Sequence, residues 1–299
     1  MRCLKYALVG WEVEDSTVDD NLSKAEAHIV HAKKNGADVI GFVEYFSILG
    51  TPMKPAEAAE EPGRGKVTKW AVEASERHEI EIWCPFIELD SQGRRYNSVA
   101  VVDPIEGLVD THREFHYFAL EKEGLSVGTE IRATKRPWGT LGCFICFDIH
   151  YPEVSRVLAA QGAGLVFWPT LTAGPWSVEA VRKKACVRCM DNGFWLIESN
   201  LASAPPYAPY AGKHHPGSCV YDPEGNVVAS TGYRPGVVFV EIDLDRRSYG
   251  KNIFGTDPQE DIRTGFQDWL RPDFYAKAYD NITRQLESLP PPPTHLTRP

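Results

Sequence analysis

The stretch Gly142-Cys143-Phe144-Ile145-Cys146-Phe147-Asp148-Ile149-His150-Tyr151-Pro152-Glu153 carries an apolar run directly into the start of a helix. The apolar residues 141–147 predict a buried strand, and Pro152 is a favoured first residue of a helix. A cysteine at a strand-to-helix turn can open into a pocket, where nearby amides stabilise its thiolate. Cys146 is therefore the candidate reactive residue, although a cysteine taken alone is more often a small buried hydrophobic residue.

Strands and helices alternate on both sides of this turn. Apolar runs and helical periodicity predict strands at 4–10, 37–43, 80–87, 97–102, 108–113, 141–147, 164–168, 194–199, 217–222, 226–230 and 237–243, and helices at 19–34, 65–77, 152–161 and 177–191. Such alternation predicts an α/β fold with helices covering the faces of a sheet. Because no Ser/Gly linker separates the two halves, we expect one domain over residues 1–275 and a C-terminal arm over 276–299, in which Pro290–Pro293 excludes a regular helix or a central strand.

Composition and charge exclude several classes of protein. The 299 residues are 43% apolar and 24% charged, as in a soluble globular protein, and the net charge of −9 argues against a nucleic-acid partner. No apolar run approaches the ~20 residues that span a bilayer, and the N-terminus predicts a strand rather than a signal peptide. The seven cysteines are scattered through apolar segments, which favours free thiols, a reducing compartment and hence the cytoplasm.

Two further features of the residues leave alternatives open. Glu44 follows an apolar strand, at the edge where open α/β sheets place ligands, but a solvated strand-end acid fits this position as well. Cys143-x-x-Cys146 and Cys186-x-x-Cys189 have the spacing of metal ligands. We expect no metal there, because residues three apart on a strand point to opposite faces and the connecting segments are core elements.

Taken together, these segments resemble the nitrilase superfamily, also called the carbon–nitrogen hydrolases, over nearly the whole chain to about residue 275. The resemblance rests on Gly41–Tyr45, on the Cys146 stretch and on further matches that follow in order: Gln161–Ala163, Arg188–Gly193, Asn200, Gly217–Val220, Asp222–Gly225 and Val240–Leu244. It implies a four-layer α-β-β-α sandwich that associates as a homodimer or higher homo-oligomer. It also implies a small-molecule substrate and neither a metal nor an organic cofactor.

The resemblance further implies a chemistry for three residues. Cys146 would attack an amide, carbamoyl or nitrile carbon and form a thioester-type intermediate that water resolves. Glu44 would take the thiol proton and later activate the water. Glu121, seven residues before Gly128, matches the second acid that orients these groups.

Glu114 is the departure from the family pattern. The family's catalytic lysine lies in an Arg-Lys-x-His string, and here the string is Arg113-Glu114-Phe115-His116. A lysine would donate to the developing oxyanion, whereas a carboxylate opposes the thiolate and raises the pKa of the cysteine. Neither nearby basic residue is a clear replacement for the missing lysine. Lys122 fits a solvated position, and Arg113 would point away from Glu114 on a strand.

Three explanations of Glu114 stay open. The chain is an engineered or otherwise altered copy of an ordinary amidohydrolase, or a native Glu114 acts as a neutral, hydrogen-bond-donating acid. In the third explanation the site is catalytically inactive. The leading hypothesis is a cysteine-dependent hydrolase of non-peptide C–N bonds, and the alternative is a non-hydrolytic relative, either a pseudoenzyme or an acyl-transfer or condensing variant.

Several residues near the turn are candidates for substrate binding. They are His150, four residues after Cys146, and Thr170, Thr172 and Trp176, which follow the next strand together with Trp168. His214 and His215 lie in a Pro/Tyr-rich loop over residues 205–216 that could cover the site. A surface histidine, packed aromatic residues and an ordinary surface loop explain the same residues, and the sequence does not select a substrate.

Overall fold

The computed structural model describes residues 3–116, 124–172, 175–203, 217–246 and 270–287. The helices are α1 Val18–Lys34, α2 Lys66–His78, α3 Pro152–Ala160, α4 Pro175–Asn192 and α5 Pro272–Glu287, with short 3-10 helices at Pro55–Ala58 and Cys146–His150. The strands are β1 Cys3–Glu12, β2 Val39–Gly41, β3 Glu81–Leu89, β4 Arg95–Asp103, β5 Gly107–Arg113, β6 Thr134–Arg136, β7 Gly139–Cys143, β8 Leu165–Pro169, β9 Trp195–Ser199, β10 Leu201–Ser203, β11 Cys219–Tyr221, β12 Val227–Ser230 and β13 Gly236–Asp243.

The described strands form two mixed sheets. The first has the order β10-β1-β2-β3-β4-β5, with β13 antiparallel to β1 over residues 3–10. The second has the order β12-β11-β9-β8-β7-β6. In each sheet the central strands are parallel, β1-β2-β3 in the first and β7-β8-β9 in the second. Parallel strands buried on both faces account for the nearly continuous apolar runs in the sequence.

A shared apolar core joins the two sheets face to face. Tyr6 and Trp83 of the first sheet pack in one buried cluster with Phe167 and Ile197 of the second. Gly41 lies at the closest approach, because a Cβ there would be 2.5 Å from Tyr6 Oη and 2.7 Å from Phe167 Cε2. The absence of a side chain at this residue therefore lets the sheets meet.

The helices cover the outer faces of both sheets. Apolar residues of α1 and α2, such as Ile29 and Ala71, form a second buried cluster with Val9 and Ile82 of the first sheet. Helices α3 and α4 contact β7, β9 and β11 of the second sheet. The predicted four-layer α-β-β-α sandwich is therefore confirmed. None of the described helices combines the length and the apolarity needed to cross a bilayer.

Local boundaries differ from the sequence predictions in several places, and two short strands, β6 and β10, were not predicted. The strand predicted to run to residue 147 ends at Cys143, because Cys146 has a positive φ of 44° that no strand accommodates. A helix that was not predicted, α5, runs through the expected domain boundary at residue 275. The chain divides into two compact units, residues 1–263 and 264–299, and α5 belongs to the second.

Candidate active site

Three side chains from three strand ends meet inside the first unit. Glu44 lies three residues beyond β2, Glu114 directly follows β5, and Cys146 lies three residues beyond β7. One donor atom from each of these side chains lies within 4.8 Å of the other two. Both carboxyl groups are buried, and Cys146 is half-buried. The structure thus brings together three of the four residues for which the sequence predicted a catalytic role.

The backbone at Cys146 adopts a conformation that non-glycine residues rarely populate. Its φ of 44° turns the chain out of β7 and into the 3-10 helix Cys146–His150. Such a conformation persists where the surroundings hold it. Here Trp168 donates from Nε1 to the Cys146 carbonyl at 3.1 Å, and the Thr170 hydroxyl lies 3.7 Å from Sγ. These contacts hold the thiol at the tip of the turn.

Asn97 connects the two buried carboxyl groups. Its side-chain nitrogen donates to Glu44 Oε1 at 2.7 Å and to Glu114 Oε2 at 2.9 Å. The other oxygen of Glu114 accepts from the backbone N–H of Phe147, the residue after Cys146, at 3.3 Å. Sequence reasoning missed Asn97, a fully buried polar residue of β4 that directly precedes Ser98 and the apolar run 99–102.

Asp148 ties the Glu114 segment to the Cys146 turn. Its fully buried carboxylate accepts from the backbone N–H groups of Phe115 and Ile145 and from His116 Nδ1, the last at 2.8 Å. The His116 ring in turn stacks on Tyr151, with centroids 3.5 Å apart. Asp148 therefore acts as a positioning residue that fixes both strand ends relative to each other, a role that the sequence analysis did not assign.

Burial and mutual repulsion make the site favour neutral acids. Desolvation, followed by the charges of Glu44 and Asp148, raises the pKa of Glu114 well above its usual range. Desolvation, followed by the charges of Glu44 and Glu114, likewise raises the pKa of the Cys146 thiol well above its usual range. The direction for Cys146 is the one expected from a carboxylate at position 114, but burial is the larger cause. The thiol of Cys146 lies within 4.8 Å of a carboxylate oxygen of Glu44, which can accept its proton.

Arg113 does not neutralise the negative charge of the buried acids of the site. As predicted for adjacent residues on a strand, its guanidinium points away from Glu114, where it forms an ion pair with Glu88 and lies 3.8 Å from the centroid of the Tyr96 ring. In the part of the chain that the structure describes, Glu114 has no ion-pair partner. Lys122, the other basic residue considered, lies outside the described residues, as does Glu121.

The predicted substrate-binding residues fall into three groups. Thr170 and Thr172 lie beside the thiol, and their hydroxyl groups are 2.9 Å apart. His150 ends the 3-10 helix that begins at Cys146, with its ring 4.6 Å from that of Phe147. Trp176 lies in the first turn of α4, but its side chain, like His214 and His215, is outside the described residues. Trp168 is fully buried, with its ring centroid 6.2 Å from that of Phe144.

The same three donors could hold a metal ion. Within the described ranges, Glu44, Glu114 and Cys146 form a group of oxygen and sulfur donors close enough to share one cation. The two Cys-x-x-Cys pairs form no such group there, and all seven cysteines are free thiols. Carboxylate and thiolate donors together suit Zn²⁺ better than Mg²⁺ or Ca²⁺.

A four-layer sandwich with a cysteine and a buried glutamate at its strand ends is the arrangement that the resemblance to the carbon–nitrogen hydrolases implies. The family model of the carbon–nitrogen hydrolases matches residues 5–249. The chain therefore belongs to the carbon–nitrogen hydrolase family.

Individual relatives agree with this assignment. The chain is 30% identical over 259 residues to omega-amidase NIT2 of Bos taurus, covering 82% of this chain and 91% of that protein. It is 29% identical over 251 residues to hydrolase C26A3.11 of Schizosaccharomyces pombe, covering 78% and 74%.

Solved structures show the same fold. Nit3 of Saccharomyces cerevisiae, a member of branch 10 of the nitrilase superfamily, aligns with a TM-score of 0.70 at 22% identity, covering 90% of this chain and 95% of that one. A carbon–nitrogen hydrolase of Helicobacter pylori aligns with a TM-score of 0.75 at 17% identity, covering 93% and 98%. At these identities the likeness concerns the fold alone.

Proposed function

We propose that this protein hydrolyses the C–N bond of a small amide, with Cys146 as the nucleophile. The observation that carries the proposal is the placement of a thiol, on a strained turn, within 4.8 Å of the buried carboxylate of Glu44. The omega-amidases among the relatives favour an amide over the N-carbamoyl compounds and nitriles that the fold could also accept.

The proposed reaction has two stages. Glu44 takes the thiol proton while Cys146 Sγ bonds to the carbonyl carbon, the C–N bond breaks, and ammonia leaves with the proton that Glu44 returns. Water then adds to the thioester after giving a proton to Glu44, and the C–S bond breaks to release the carboxylic acid and regenerate the thiol. Glu121 remains the proposed orienting acid.

Glu114 is proposed to take part as a neutral acid. Its raised pKa keeps it protonated, and a protonated carboxyl group can donate a hydrogen bond to the oxygen on which negative charge develops. The Phe147 N–H, to which Glu114 is now bonded, is a second donor at the same place. A shift of Glu114 toward the substrate would expose this amide as well.

A non-hydrolytic protein is the second candidate, and the contact between Glu114 and Phe147 favours it. The Glu114 carboxyl group accepts a hydrogen bond from Phe147, which has the first backbone N–H after the nucleophile. An oxyanion would otherwise bind to this N–H. An acid that stays there would leave a ligand-binding site without turnover. A lysine at position 114 would convert such a site toward the family's usual pattern.

Labelling and activity of matched variants test the proposal. We expect the parent protein to release ammonia from small amides and to take up iodoacetamide at Cys146, as shown by intact mass and peptide mapping. Cys146→Ala should lose both signals, with turnover falling by about 10³-fold or more, whereas Cys186→Ala, which removes another half-buried thiol, should keep the activity. Turnover that survives in Cys146→Ala would refute the nucleophile.

The Glu114→Lys variant separates the explanations of Glu114. If it creates activity in an inactive parent, the altered-copy or inactive-site explanation holds. If it abolishes an activity of the parent, Glu114 has a native catalytic role. We further propose a cytoplasmic location, with which seven free thiols agree.

A further inference from the structure

Two threonine hydroxyl groups form a chain of hydrogen bonds that ends at the sulfur of Cys146. The Thr170 hydroxyl donates to Cys146 Sγ, with an oxygen–sulfur distance of 3.7 Å. The hydroxyl oxygens of Thr170 and Thr172 lie 2.9 Å apart. Because a hydroxyl group has one proton and Thr170 gives its proton to the sulfur, Thr172 is the donor between the two threonines. These two side chains are called the hydroxyl chain below.

Backbone contacts hold both residues of the hydroxyl chain in place. Thr170 directly follows β8, and its N–H donates to the carbonyl of Ser199, the last residue of β9, at 2.9 Å. The carbonyl of Thr172 accepts from Asn200 Nδ2 at 3.3 Å. Thr170 is only 1% exposed, so bulk water competes little for its hydroxyl group. A donor that is fixed and buried in this way acts more strongly on a nearby charge than a donor in water does.

The acids beside the sulfur disfavour a thiolate. Glu44 and Glu114 each place a carboxyl oxygen within 4.8 Å of Cys146 Sγ. Burial, followed by the charges of these two acids, raises the pKa of the Cys146 thiol. A hydroxyl group that donates to the sulfur has the opposite effect, because a hydrogen bond to the charged form of a group favours that form. The hydroxyl chain therefore counteracts the two acids at the atom on which the proposed chemistry depends.

We propose that Thr170 is a catalytic residue that stabilises negative charge on Cys146 Sγ, with Thr172 strengthening its donation. The inference rests on the proposed function, in which this sulfur is the nucleophile. When Glu44 takes the thiol proton, the Thr170 hydroxyl donates to the sulfur that now carries the charge. When the C–S bond of the thioester breaks, the sulfur takes the electron pair of that bond, and the same hydrogen bond stabilises it until Glu44 returns the proton. Thr170 keeps its own proton in both stages.

This role differs from the substrate-binding role that the sequence predicts for Thr170. A hydroxyl group bonded to Cys146 Sγ sets the reactivity of the sulfur itself, so its loss slows any reaction in which the sulfur attacks carbon. Alkylation by iodoacetamide is such a reaction and does not depend on a fit to the substrate pocket. A residue that only contacts the substrate would instead change KM for an amide and leave alkylation unaltered.

Alkylation rates of matched variants test the proposal. We expect Thr170→Val, which keeps the shape of the side chain but removes the donor, to lower the rate constant for iodoacetamide labelling of Cys146 at pH 7 by about 10-fold. Thr170→Ser keeps the hydroxyl group and should stay within about 3-fold of the parent. Thr172→Val removes the second donor and should lower the rate by about 3-fold. Labelling of Cys186, another half-buried thiol, is the control in the same samples and should not change.

A second pair of variants guards against a loss of folding in Thr170→Val. Thr170→Ser and Thr170→Ala both lack the methyl group of threonine and differ from each other in the hydroxyl group alone. We expect the serine variant to label about 10-fold faster at Cys146 than the alanine variant. Equal labelling of these two variants would overturn the role of Thr170.

Turnover of glutaramide, a small uncharged amide, separates this proposal from the proposed hydrolysis. We expect Thr170→Val to lower kcat by about 10-fold with little change in KM. If alkylation depends on the Thr170 hydroxyl group but neither glutaramide nor any other small amide is hydrolysed, the action of Thr170 on the sulfur stands and the proposed hydrolysis fails. If glutaramide is hydrolysed while Thr170→Val changes neither alkylation nor kcat, the role of Thr170 is overturned and the hydrolase stands.

Discussion

At the scale of single residues, the site is defined by the hydrogen-bond donors that contact Glu44 and Glu114. Asn97 gives both of its side-chain hydrogen bonds to carboxyl groups, and the Phe147 N–H gives a third to Glu114. Two carboxyl groups held this close do not both ionise readily, because their charges repel in a medium of low dielectric constant. The arrangement therefore favours one ionised acid, for which we propose Glu44, and one neutral acid, Glu114.

The neutral state of Glu114 predicts a specific pH profile. Since burial raises its pKa, the proton is held below that pKa and lost as the pH rises through it, so donation to the oxyanion, and with it kcat/KM, falls on the alkaline side. In Glu114→Gln the amide donates at every pH. We expect this variant to lack the alkaline fall and to keep activity within about tenfold, whereas Glu114→Leu should lose about 10²- to 10³-fold. Rates on glutaramide between pH 5 and pH 10 measure this.

If kcat/KM of Glu114→Gln still falls on the alkaline side, another group, such as the Cys146 thiol, controls this fall. Equal activity of Glu114→Gln and Glu114→Leu would show that no donor is needed at position 114. Thermal melts of both variants control for folding, because each removes a buried acid.

At the scale of the elements, the site depends on where strands end. The end of β7 at Cys143 leaves Phe144 and Ile145 as a short extended segment before the turn, and Asp148 then anchors that turn to the segment after β5. Glu44 depends in the same way on β2, which is only three residues long and lies between β1 and β3. Small shifts of these strands would separate the thiol from the carboxylates.

Gly41, the last residue of β2, tests this dependence. The Cβ added by Gly41→Ala would meet the buried rings of Tyr6 and Phe167 at 2.5 and 2.7 Å, so the two sheets must move apart. We expect a loss of about 1–3 kcal/mol in the free energy of unfolding and reduced activity, because Glu44 follows three residues later. Gly139→Ala is the control, with its nearest neighbour, Leu244 Cδ1, at 3.9 Å. Denaturation of both variants with urea measures the difference, and equal stabilities would contradict the steric argument.

At the scale of the whole molecule, the two sheets supply different residues to the site. The first supplies the acids, Glu44 and Glu114, and their shared donor Asn97 from β4. The second supplies the nucleophile, Cys146, three residues beyond β7. Packing of the sheets through one apolar core is what brings the acids and the thiol together.

Self-association, which the family resemblance implies, is tested at this scale. Helix α5 exposes Phe274, Tyr275, Tyr279 and Ile282, whose spacing places them along one side of the helix. We expect light scattering to show a homodimer or larger assembly, and Phe274→Asp combined with Ile282→Asp to reduce its size. Ile105 is 93% exposed and lies in the β4–β5 turn, outside α5. Ile105→Asp should therefore leave the size of the assembly unchanged. A parent protein that is monomeric at all concentrations would refute the prediction.

Local patterns in the sequence determined most of the architecture. Apolar periodicity placed strands and helices in nearly the right order and predicted helices on the faces of a sheet, whereas the four layers were expected from the family resemblance. The Cys146 stretch was recognisable because a strand followed by a turn carries its own local signal, whereas the roles of Glu44 and Glu114 were inferred from the family resemblance. Helix α5 and the short strands β6 and β10 were missed. The end of β7 was misplaced because the positive φ at Cys146 leaves no trace in the periodicity.

Only the tertiary structure decided how these residues act on one another. Asn97 bonds to a glutamate 53 residues away, and Lys184 reaches a histidine 34 residues away. Burial, followed by the charges of Glu44 and Asp148, raises the pKa of Glu114, and these two neighbours come from separate parts of the chain. The physical reason is that backbone periodicity is set by contacts along the chain, whereas protonation and hydrogen bonding depend on burial and on groups that folding alone brings together.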